Sequence, residues 1–225
     1  MIFITGDLHG EIDINKLANK NFPENRNLCK SDFVIVAGDF GCVWDGSKQD
    51  LYWLNWLEKR NFTTLFVDGN HENFDLLNSY PVDEWNGGKV HFINESVIHL
   101  MRGQVYNIQG VKIFCFGGAH SGDKEYRKEG ISWWKQEVPS IKEYEEGLLS
   151  LQRNNWRVDY IITHTSPSSV LKLIKEKYNK DKEINHYFED IKNKASYIRW
   201  FSGHDHIDDC IDEKHTVVYK HIIKI

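Results

Sequence analysis

Cysteine is scarce in this 225-residue chain, which contains only four, at Cys29, Cys42, Cys115 and Cys210. No two of them stand at the short spacing that a zinc knuckle or a redox pair requires, which favours a reducing compartment. The first apolar stretch ends at Ile4 without a basic flank, and no later segment approaches the apolar length of a bilayer span. We therefore expect a cytoplasmic protein with no membrane contact.

An excess of positive charge is also missing, because 28 Lys and Arg residues face 33 Asp and Glu residues, a formal net charge of −5. A protein that grips nucleic acid mainly by its phosphates needs a basic surface, so this balance disfavours a long duplex as the substrate. The Lys-rich stretch from Lys172 to Lys182 is interleaved with Glu176 and Asp181. It therefore predicts a solvated helix face of mixed charge.

The chain has no internal repeat, low-complexity tract or Pro-, Gly- or Ser-rich linker that would mark a domain boundary. Hydrophobic residues make up 40% of the sequence and aromatic residues 13%, which is enough to bury a core. We predict a single globular domain that spans residues 1–225.

Short apolar runs rich in β-branched and aromatic residues predict strands at Ile2–Thr5, Phe33–Ala37, Thr64–Val67, Val111–Phe116, Tyr160–Thr163 and Tyr197–Ser202. Helical signals separate several of them, namely the spacing of Leu51, Leu54 and Leu57, a capping box at Ser140–Glu143, and Ser166-Pro167. This alternation predicts an α/β fold with buried strands. Added, antiparallel strands are expected at Val90–Phe92, Val97–Arg102 and Thr216–Ile225.

Gly, Asp and His residues cluster directly after the predicted strands. These clusters are Gly6–Gly10, Gly38–Gly41, Asp68–Glu72, Gly117–His120, Thr163–Thr165 and Gly203–His206. Because the carboxyl ends of strands in an open α/β sheet face one crevice, residues far apart in the sequence are expected to converge there.

The converging residues include seven candidate metal ligands: the carboxylates of Asp7 and Asp39, the imidazoles of His9, His164, His204 and His206, and the carboxamide of Asn70. An oxygen and nitrogen set without thiolate suits Mn²⁺, Fe or Zn²⁺, and it is too rich in nitrogen for a dedicated Mg²⁺ or Ca²⁺ site. Seven ligands exceed the need of one tetrahedral ion, whereas two ions with a bridging carboxylate would use them all. We expect two divalent ions as cofactors, with Mn²⁺ as the first choice.

The five blocks Asp7-Leu-His9, Gly38-Asp39, Gly69-Asn70-His71-Glu72, Thr163-His164 and Gly203-His204-Asp205-His206 occur in one order. In that order they resemble the calcineurin-like metallophosphoesterase superfamily, in particular its small bacterial and phage members. The resemblance implies a four-layer α/β/β/α sandwich of two mixed β-sheets flanked by helices. It also implies one ion on Asp7, His9, Asp39 and His206 and another on Asp39, Asn70, His164 and His204, with Asp39 as the bridge.

The chemistry expected of such a centre is the hydrolysis of phosphate mono- or diesters. Two cations about 3.5–4 Å apart lower the pKa of a shared water, so that a bridging hydroxide can attack phosphorus. His71 corresponds to the catalytic His of the superfamily and would act as the general acid for the leaving group. The expected substrate is a phosphorylated small molecule, a nucleotide or another phosphodiester, and no partner protein is implied. The alternative is a non-catalytic scaffold of the same fold that binds another protein through its metal patch.

The second block departs from that of the phosphoprotein phosphatases in this superfamily. Those enzymes carry G-D-x-x-D-R, whereas this chain reads Gly38-Asp39-Phe40-Gly41-Cys42-Val43 and lacks both the Asp that orients the catalytic His and the Arg that clamps phosphate. A phosphoprotein substrate is therefore disfavoured. The residue that orients His71 could instead be Asp45, Asp68 or Glu72.

The segment from Gly117 to Trp134 mixes basic residues with two adjacent Trp residues and follows a predicted strand. We expect Arg127 to bind a phosphate oxygen, and Trp133 or Trp134 to shape the substrate pocket. His120 is a further candidate for substrate binding because it stands at a strand end. A structural His at position 120 and Trp residues that only anchor the loop are the competing interpretations.

Overall fold

The computed structural model describes residues 1–174 and 182–225. The predicted helix face of mixed charge between Lys172 and Lys182 falls largely outside the described residues. The described residues form the helices α1 Lys48–Glu58, α2 Phe74–Leu77, α3 Ile141–Arg153, α4 Ser168–Ile174 and α5 Glu183–Lys194. Short 3₁₀ helices lie at Ile14–Leu17, Pro23–Asn27, Lys124–Tyr126 and Lys135–Glu137.

The strands are β1 Ile2–Thr5, β2 Phe33–Ala37, β3 Thr63–Val67, β4 Val82–Trp85, β5 Gly88–Asn94, β6 Val97–Leu100, β7 Gln104–Ile108, β8 Val111–Phe116, β9 Tyr160–Thr163, β10 Arg199–Ser202, β11 Asp209–Cys210, β12 His215–Val217 and β13 Ile223–Lys224. They form two sheets, with the strand orders β13-β1-β2-β3-β6-β5-β4 and β11-β12-β10-β9-β8-β7. The centre of each sheet is parallel and both edges are antiparallel. The prediction of two mixed sheets is confirmed.

The two sheets pack face to face through the alternate side chains of their strands. Ile4, Ile35 and Val67 of the first sheet and Ile113 and Ile162 of the second belong to one buried cluster. The opposite face of the first sheet packs against α1, and the opposite face of the second packs against α3 and α5. Since both faces of each sheet are covered, the central strands are apolar throughout, as expected for buried parallel strands. The predicted four-layer α/β/β/α arrangement is confirmed.

Local sequence signals account for the starts of two helices. The Ser47 hydroxyl accepts hydrogen bonds from two backbone amides at the start of α1. The predicted capping box of α3 is present, with both hydrogen bonds between Ser140 and Glu143. Leu54 and Leu57 are buried, but Leu51 is 55% exposed, because three-residue steps drift around a helix of 3.6 residues per turn.

The C-terminal segment differs from its prediction as one strand at Thr216–Ile225. It divides into β12, which pairs in parallel with β10 of the second sheet, and β13, which pairs antiparallel with β1 of the first sheet. The intervening residues from Tyr219 to His221 are held by their backbone amides, which donate to the Asp208 carboxylate. One short segment thereby supplies the edge strand of the first sheet and the strand next to the edge strand β11 of the second sheet.

A buried polar network lies below the loop that follows β3. His91 and His99 face each other with their Nδ1 atoms 3.1 Å apart, and His99 Nε2 lies 3.2 Å from Asp68 Oδ1. Arg102 donates to the same Asp68 carboxylate through Nε and through its NH2 group. Burial opposes ionisation of Asp68, but Arg102 and His99 outweigh it and hold the pKa of this carboxyl below its usual value.

The His91 ring should make folding stability depend on pH. Burial, followed by repulsion from His99, lowers the pKa of His91 from 6.5 to about 4. Between these values the unfolded chain binds a proton that the folded protein does not, so stability is lost as the pH falls through this window. At pH 5 the loss for one such group is on the order of 2 kcal/mol relative to neutral pH. Urea unfolding of wild type and His91→Gln across this range measures it, and parallel pH curves would contradict the assignment.

None of the helices that the described residues form combines the length and the apolar character of a membrane span.

Candidate metal centre

The ends of five parallel strands bring the predicted ligands to one edge of the sandwich. Asp7, Asp39 and Asn70 follow β1, β2 and β3 of the first sheet, and His164 and His204 follow β9 and β10 of the second. The register of the parallel pairs places these strand ends side by side within each sheet. Face-to-face packing then brings the two sets of loops together.

One group of potential ligands combines two carboxylates with two imidazoles. Its ligand atoms all lie within 4.8 Å of one another, and the group consists of Asp7, His9, Asp39 and His206. His9 Nε2 is 3.3 Å from Asp39 Oδ2, and His206 Nε2 is 3.0 Å from Asp7 Oδ2. The carboxylates are buried whereas His206 is exposed, so the group opens to solvent on its His206 side.

A second group shares Asp39 with the first. It consists of Asp39, His164 and His204, again with ligand atoms within 4.8 Å of one another. Asn70 joins it, because Asn70 Oδ1 lies 3.1 Å from His164 Nε2. The orientation of the His164 ring is fixed by a hydrogen bond, which its Nδ1 donates to the Ala37 carbonyl at 2.8 Å. Nε2 of His164 therefore faces the centre. The structure therefore brings together all seven predicted ligands, with Asp39 between the two groups.

The donor set fits divalent cations on physical grounds. Asp7 Oδ2 is a buried carboxylate oxygen that receives no well-aligned hydrogen bond from the described part of the chain, although His206 Nε2 lies 3.0 Å away. An anionic oxygen buried without a donor is costly unless a cation compensates it. The oxygen and nitrogen donors match borderline ions such as Mn²⁺, Fe²⁺ and Zn²⁺, so two divalent ions could be held here by the seven residues.

Four of the candidate ligands adopt backbone conformations that non-glycine residues rarely occupy. His9, Asp39, His204 and His206 have φ values of 45°, 46°, 69° and 52°. Each such residue costs on the order of 1–3 kcal/mol, and such conformations cluster where function requires them. Hydrogen bonds hold the strained loops, since the amide of His9 donates to the Asp39 carbonyl and the amide of His204 donates to Asp7 Oδ1.

Glycine is required at two positions beside the carboxylates. A Cβ at Gly69 would collide with the side chain and backbone nitrogen of Asp39. A Cβ at Gly203 would collide with Asp7 Oδ1 and with the Ala37 carbonyl. Gly69 and Gly203 are therefore required because the backbone passes close to a ligand side chain, and not because these positions adopt a left-handed backbone conformation.

The acidic and basic side chains of the centre shift one another's pKa values. Burial disfavours the charged form of Asp39, but His164 and His9 outweigh it and hold the pKa of this carboxyl well below its usual value. Burial likewise opposes protonation of His164, yet Asp39 and then Asp7 raise its pKa to about 10. Burial and repulsion from His164 lower the pKa of His204 to about 4. Binding of a cation at His164 therefore has to displace a proton.

Two residues that the sequence did not single out orient the ligands of the first group. Asp13 Oδ2 lies 3.0 Å from His9 Nδ1, so His9 can offer Nε2 to an ion. The Tyr219 hydroxyl donates to the same carboxylate, and its ring stacks on that of His206 with the centroids 4.7 Å apart. Asp13 stands four residues after His9, a spacing that could have indicated the pair.

A short hydrogen-bond chain decides which end of the Asn70 carboxamide faces the second group. The Ser121 hydroxyl donates to Glu137 Oε2 at 2.6 Å, which leaves its oxygen free to accept from Asn70 Nδ2 at 3.1 Å. The amide nitrogen is thereby held away from the centre and Asn70 Oδ1 points toward His164. Glu137 is 1% exposed and lies 67 residues beyond Asn70 in the sequence, so no local pattern reveals this role.

Removing the Ser121 hydroxyl should weaken the second group selectively. In Ser121→Ala the carboxamide of Asn70 loses the acceptor that orients it, and we expect about 10- to 100-fold weaker binding of one of two ions. Competition with a chelator of known affinity measures both dissociation constants. Ser169→Ala is a matched control, because Ser169 makes a similar hydrogen bond to Glu189 between α4 and α5. Equal affinities in Ser121→Ala and wild type would contradict the role of this chain.

His71 lies beside the first group, and neither ligand group of the described residues includes it. Its backbone amide donates to Asp39 Oδ1 at 2.8 Å, and its ring is 5.6 Å from the His9 ring between centroids. The two outer nitrogens of the Arg127 guanidinium lie 3.1 and 3.3 Å from the two ring nitrogens of His71. Burial lowers the pKa of His71, Asp39 opposes this, and Arg127 lowers it further.

The three residues considered for orienting His71 have other partners. Asp68 binds Arg102 and His99, and Asp45 accepts from the amide of Ser47. Glu72 accepts from the amides of Phe40, Gly41 and Gly69. Burial, followed by repulsion from Asp39, raises the pKa of Glu72 to about 8. Arg127, for which the sequence predicts phosphate binding, contacts both nitrogens of the His71 ring instead.

The other predicted substrate residues lie around the loop from Gly117 to Trp134. His120 lines a cavity that His204 also borders. The Trp133 ring lies beneath the ammonium group of Lys124, 5.9 Å from the ring centroid. Trp134 is a loop anchor, since its indole Nε1 donates to Asp75 at 2.8 Å and its ring packs edge-on against Trp44.

The chain is similar to known proteins. A family model described as calcineurin-like phosphoesterase matches residues 1–208. A lariat debranching enzyme of Schizosaccharomyces pombe is 26% identical over 185 residues. That match covers 74% of this chain but only 37% of the relative, so the chain spans well under half the length of that protein.

Proposed function

The chain belongs to the calcineurin-like phosphoesterase family, and we propose that it hydrolyses phosphate esters with two divalent ions held at the shared carboxylate of Asp39. The single observation that carries this proposal is the geometry of the two ligand groups, which meet at Asp39 with His71 next to them. The family and the similarity to a lariat debranching enzyme support a phosphoester hydrolase.

The residues divide into three roles. Asp7, His9 and His206 would hold one ion, Asn70, His164 and His204 the other, and Asp39 both. When bound, a pair of divalent ions supplies an activated water and neutralises charge on the phosphoryl oxygens. Mn²⁺ is the ion that we propose, and Fe or Zn²⁺ would fit the same donors.

We assign to His71 the protonation of the leaving oxygen. Its ring lies against the first group without belonging to it, and it borders a cavity large enough for an organic substituent. A general acid has to come within hydrogen-bond reach of the leaving oxygen, which this position allows. The Asp39 carboxylate accepts a hydrogen bond from the His71 backbone amide, which fixes the position of His71 relative to the metal ligands.

Arg127 is the residue that we assign to the phosphoryl oxygens. Its guanidinium is partly buried beside His71, where a bound phosphate ester would lie. Asp123 Oδ2 lies 2.8 Å from the Arg127 guanidinium and restricts the conformations of the Arg127 side chain. Arg127 therefore loses less conformational entropy when it binds an anion.

Arg127→Ala should lower kcat/KM about 10- to 100-fold, the usual effect of losing a hydrogen bond to a charged group. Lys128→Ala is the matched control, because it removes the same charge from the adjacent, exposed position. Steady-state kinetics on aryl phosphate esters measure both variants. If Arg127→Ala behaves like Lys128→Ala on every active ester, the loop does not clamp the substrate.

The decisive experiment separates an enzyme from a metal-dependent binding scaffold. Metal-loaded protein is assayed on 4-nitrophenyl phosphate and bis(4-nitrophenyl) phosphate, before and after chelation, and its metal content is determined by elemental analysis. We expect two ions per chain, and turnover that is lost on chelation and restored by Mn²⁺. A protein that binds two ions but turns over neither ester would be a scaffold.

A further inference from the structure

Two cavities border the candidate metal centre, each next to a different ligand group. The larger, about 660 Å³, is bordered by His204 of the second group. The smaller, about 410 Å³, is bordered by His9 of the first group and by His71. A substrate whose phosphorus lies between the groups therefore has space for an organic substituent on both sides. A phosphomonoester, with one substituent, would fill only one of these cavities.

The described lining of the larger cavity carries an excess of basic residues. Lys124 and Lys182 line it together with His120, and Glu125 is the carboxylate among its described lining residues. The pKa of His120 is lowered first by burial and then by Lys182 and, to a smaller extent, by Lys124. Glu137 and Glu183 oppose this shift. The positive field of both Lys residues therefore reaches the cavity wall, where these carboxylates partly offset it. An anionic substituent would gain from this field.

The smaller cavity has the opposite charge and an aromatic wall. Glu11, Asp45 and Asp50 are among its lining residues, and the described part of the lining contains neither Lys nor Arg. The Asp50 carboxylate is occupied by three backbone amides, whereas Glu11 and Asp45 are exposed. Trp44 and Trp53 add flat apolar surface, which suits a ring.

We propose that the substrate is a phosphodiester lying across both cavities, with a neutral, ring-bearing leaving alcohol beside Trp53 and an anionic substituent beside Lys124. This assignment rests on the proposed function and adds the substrate class and its direction of binding. Because His71 borders the acidic, Trp-lined cavity, the alcohol that receives its proton is the one bound there.

The reaction balances as a hydrolysis. Water forms a new P–O bond, the P–O bond to the alcohol in the smaller cavity breaks, and the alkoxide takes a proton from His71. The products are that alcohol and a phosphomonoester that retains the anionic substituent. The proton that the water loses restores His71, and no oxidant or reductant is involved.

The first arm of the test varies the retained group. The substrates are the 4-nitrophenyl ester of thymidine 5′-phosphate and the same compound with an added 3′-phosphate. We expect the added phosphate to raise kcat/KM about three- to tenfold at low salt, the size of effect expected for an exposed ion pair, and less at high salt. Lys124→Ala should abolish this gain.

The second arm varies the leaving group. Replacing 4-nitrophenol by 5-hydroxy-2-nitrobenzoate puts a carboxylate into the acidic cavity. We expect kcat/KM to fall about three- to tenfold through repulsion at a partly exposed site, and Asp45→Asn to recover part of the loss.

Assays of bis(4-nitrophenyl) phosphate and 4-nitrophenyl phosphate distinguish a failure of the proposed function from a failure of the two-cavity assignment. If neither this diester nor 4-nitrophenyl phosphate is hydrolysed, the proposed function itself fails. If the diester is hydrolysed but neither added charge changes kcat/KM, or the two charges act in the opposite sense, the two-cavity assignment is overturned. The assignment is also overturned if 4-nitrophenyl phosphate is a better substrate than the thymidine diesters.

Discussion

Replacing Asp39 with Asn is expected to lower kcat at least about 1,000-fold and to reduce the bound metal from two ions to one or none, because stabilisation by a metal is worth several kcal/mol. Asp39 is the one carboxylate common to both ligand groups of the described residues, and it is 1% exposed. Its two oxygens lie 3.3 Å from His164 Nε2 and from His9 Nε2. An amide in this position removes the negative charge that the proposed pair of ions would share.

The Asp39→Asn experiment needs both a metal determination and an activity measurement. Elemental analysis and kcat on an aryl ester are compared with those of Asp83→Asn, which makes the same change at an exposed position on β4. Far-UV circular dichroism checks that the variant is folded. Full activity with two bound ions in Asp39→Asn would show that the bridging assignment is wrong.

His71→Ala is expected to lower kcat about 10²- to 10⁴-fold while both ions stay bound, the usual contribution of a positioned acid. The metal should be retained because His71 touches the centre through its backbone amide and through ring contacts rather than as a ligand. A smaller loss would be expected for a residue that only fills space beside Arg127.

A general acid has a signature that a structural residue lacks. Alkyl esters, whose alkoxides leave poorly without a proton, should lose far more activity in His71→Ala than 4-nitrophenyl esters do. His221→Ala is the control, since that ring is 74% exposed and contacts Asp208 instead. If the variant slows good and poor leaving groups by the same factor, His71 does not protonate the leaving oxygen.

The candidate metal ligands of this centre could be predicted from the sequence because they directly follow the ends of strands. The strands β1, β2 and β9 carry continuous apolar runs, and each is followed at once by polar residues that cannot continue a buried strand. The candidate metal ligands stand in short sequence motifs such as Gly38-Asp39, which can be identified without knowledge of the fold. Their order along the chain carried the family resemblance, which in turn implied the two sheets.

Side chains that act on the centre from distant segments could not be predicted in this way. Glu137 orients Asn70 only through Ser121, and Arg127 contacts His71 across 56 residues of sequence. Neither pair leaves a periodic or local signal, because the contact exists only after two loops have packed together. The sequence offers Asp45, Asp68 and Glu72 as candidates for orienting His71, and Arg127 is not among them.

The sequence by itself determined the apolar strands, the donor types and the order of the ligand blocks, since these depend on the identity of residues close together in the chain. The tertiary structure decided which ligand atoms face one another and how the cavities on the two sides are charged. It also decided that the C-terminal segment divides between the two sheets. Those features arise from the packing of one sheet on the other, where side chains compete for space and hydrogen bonds across long sequence separations.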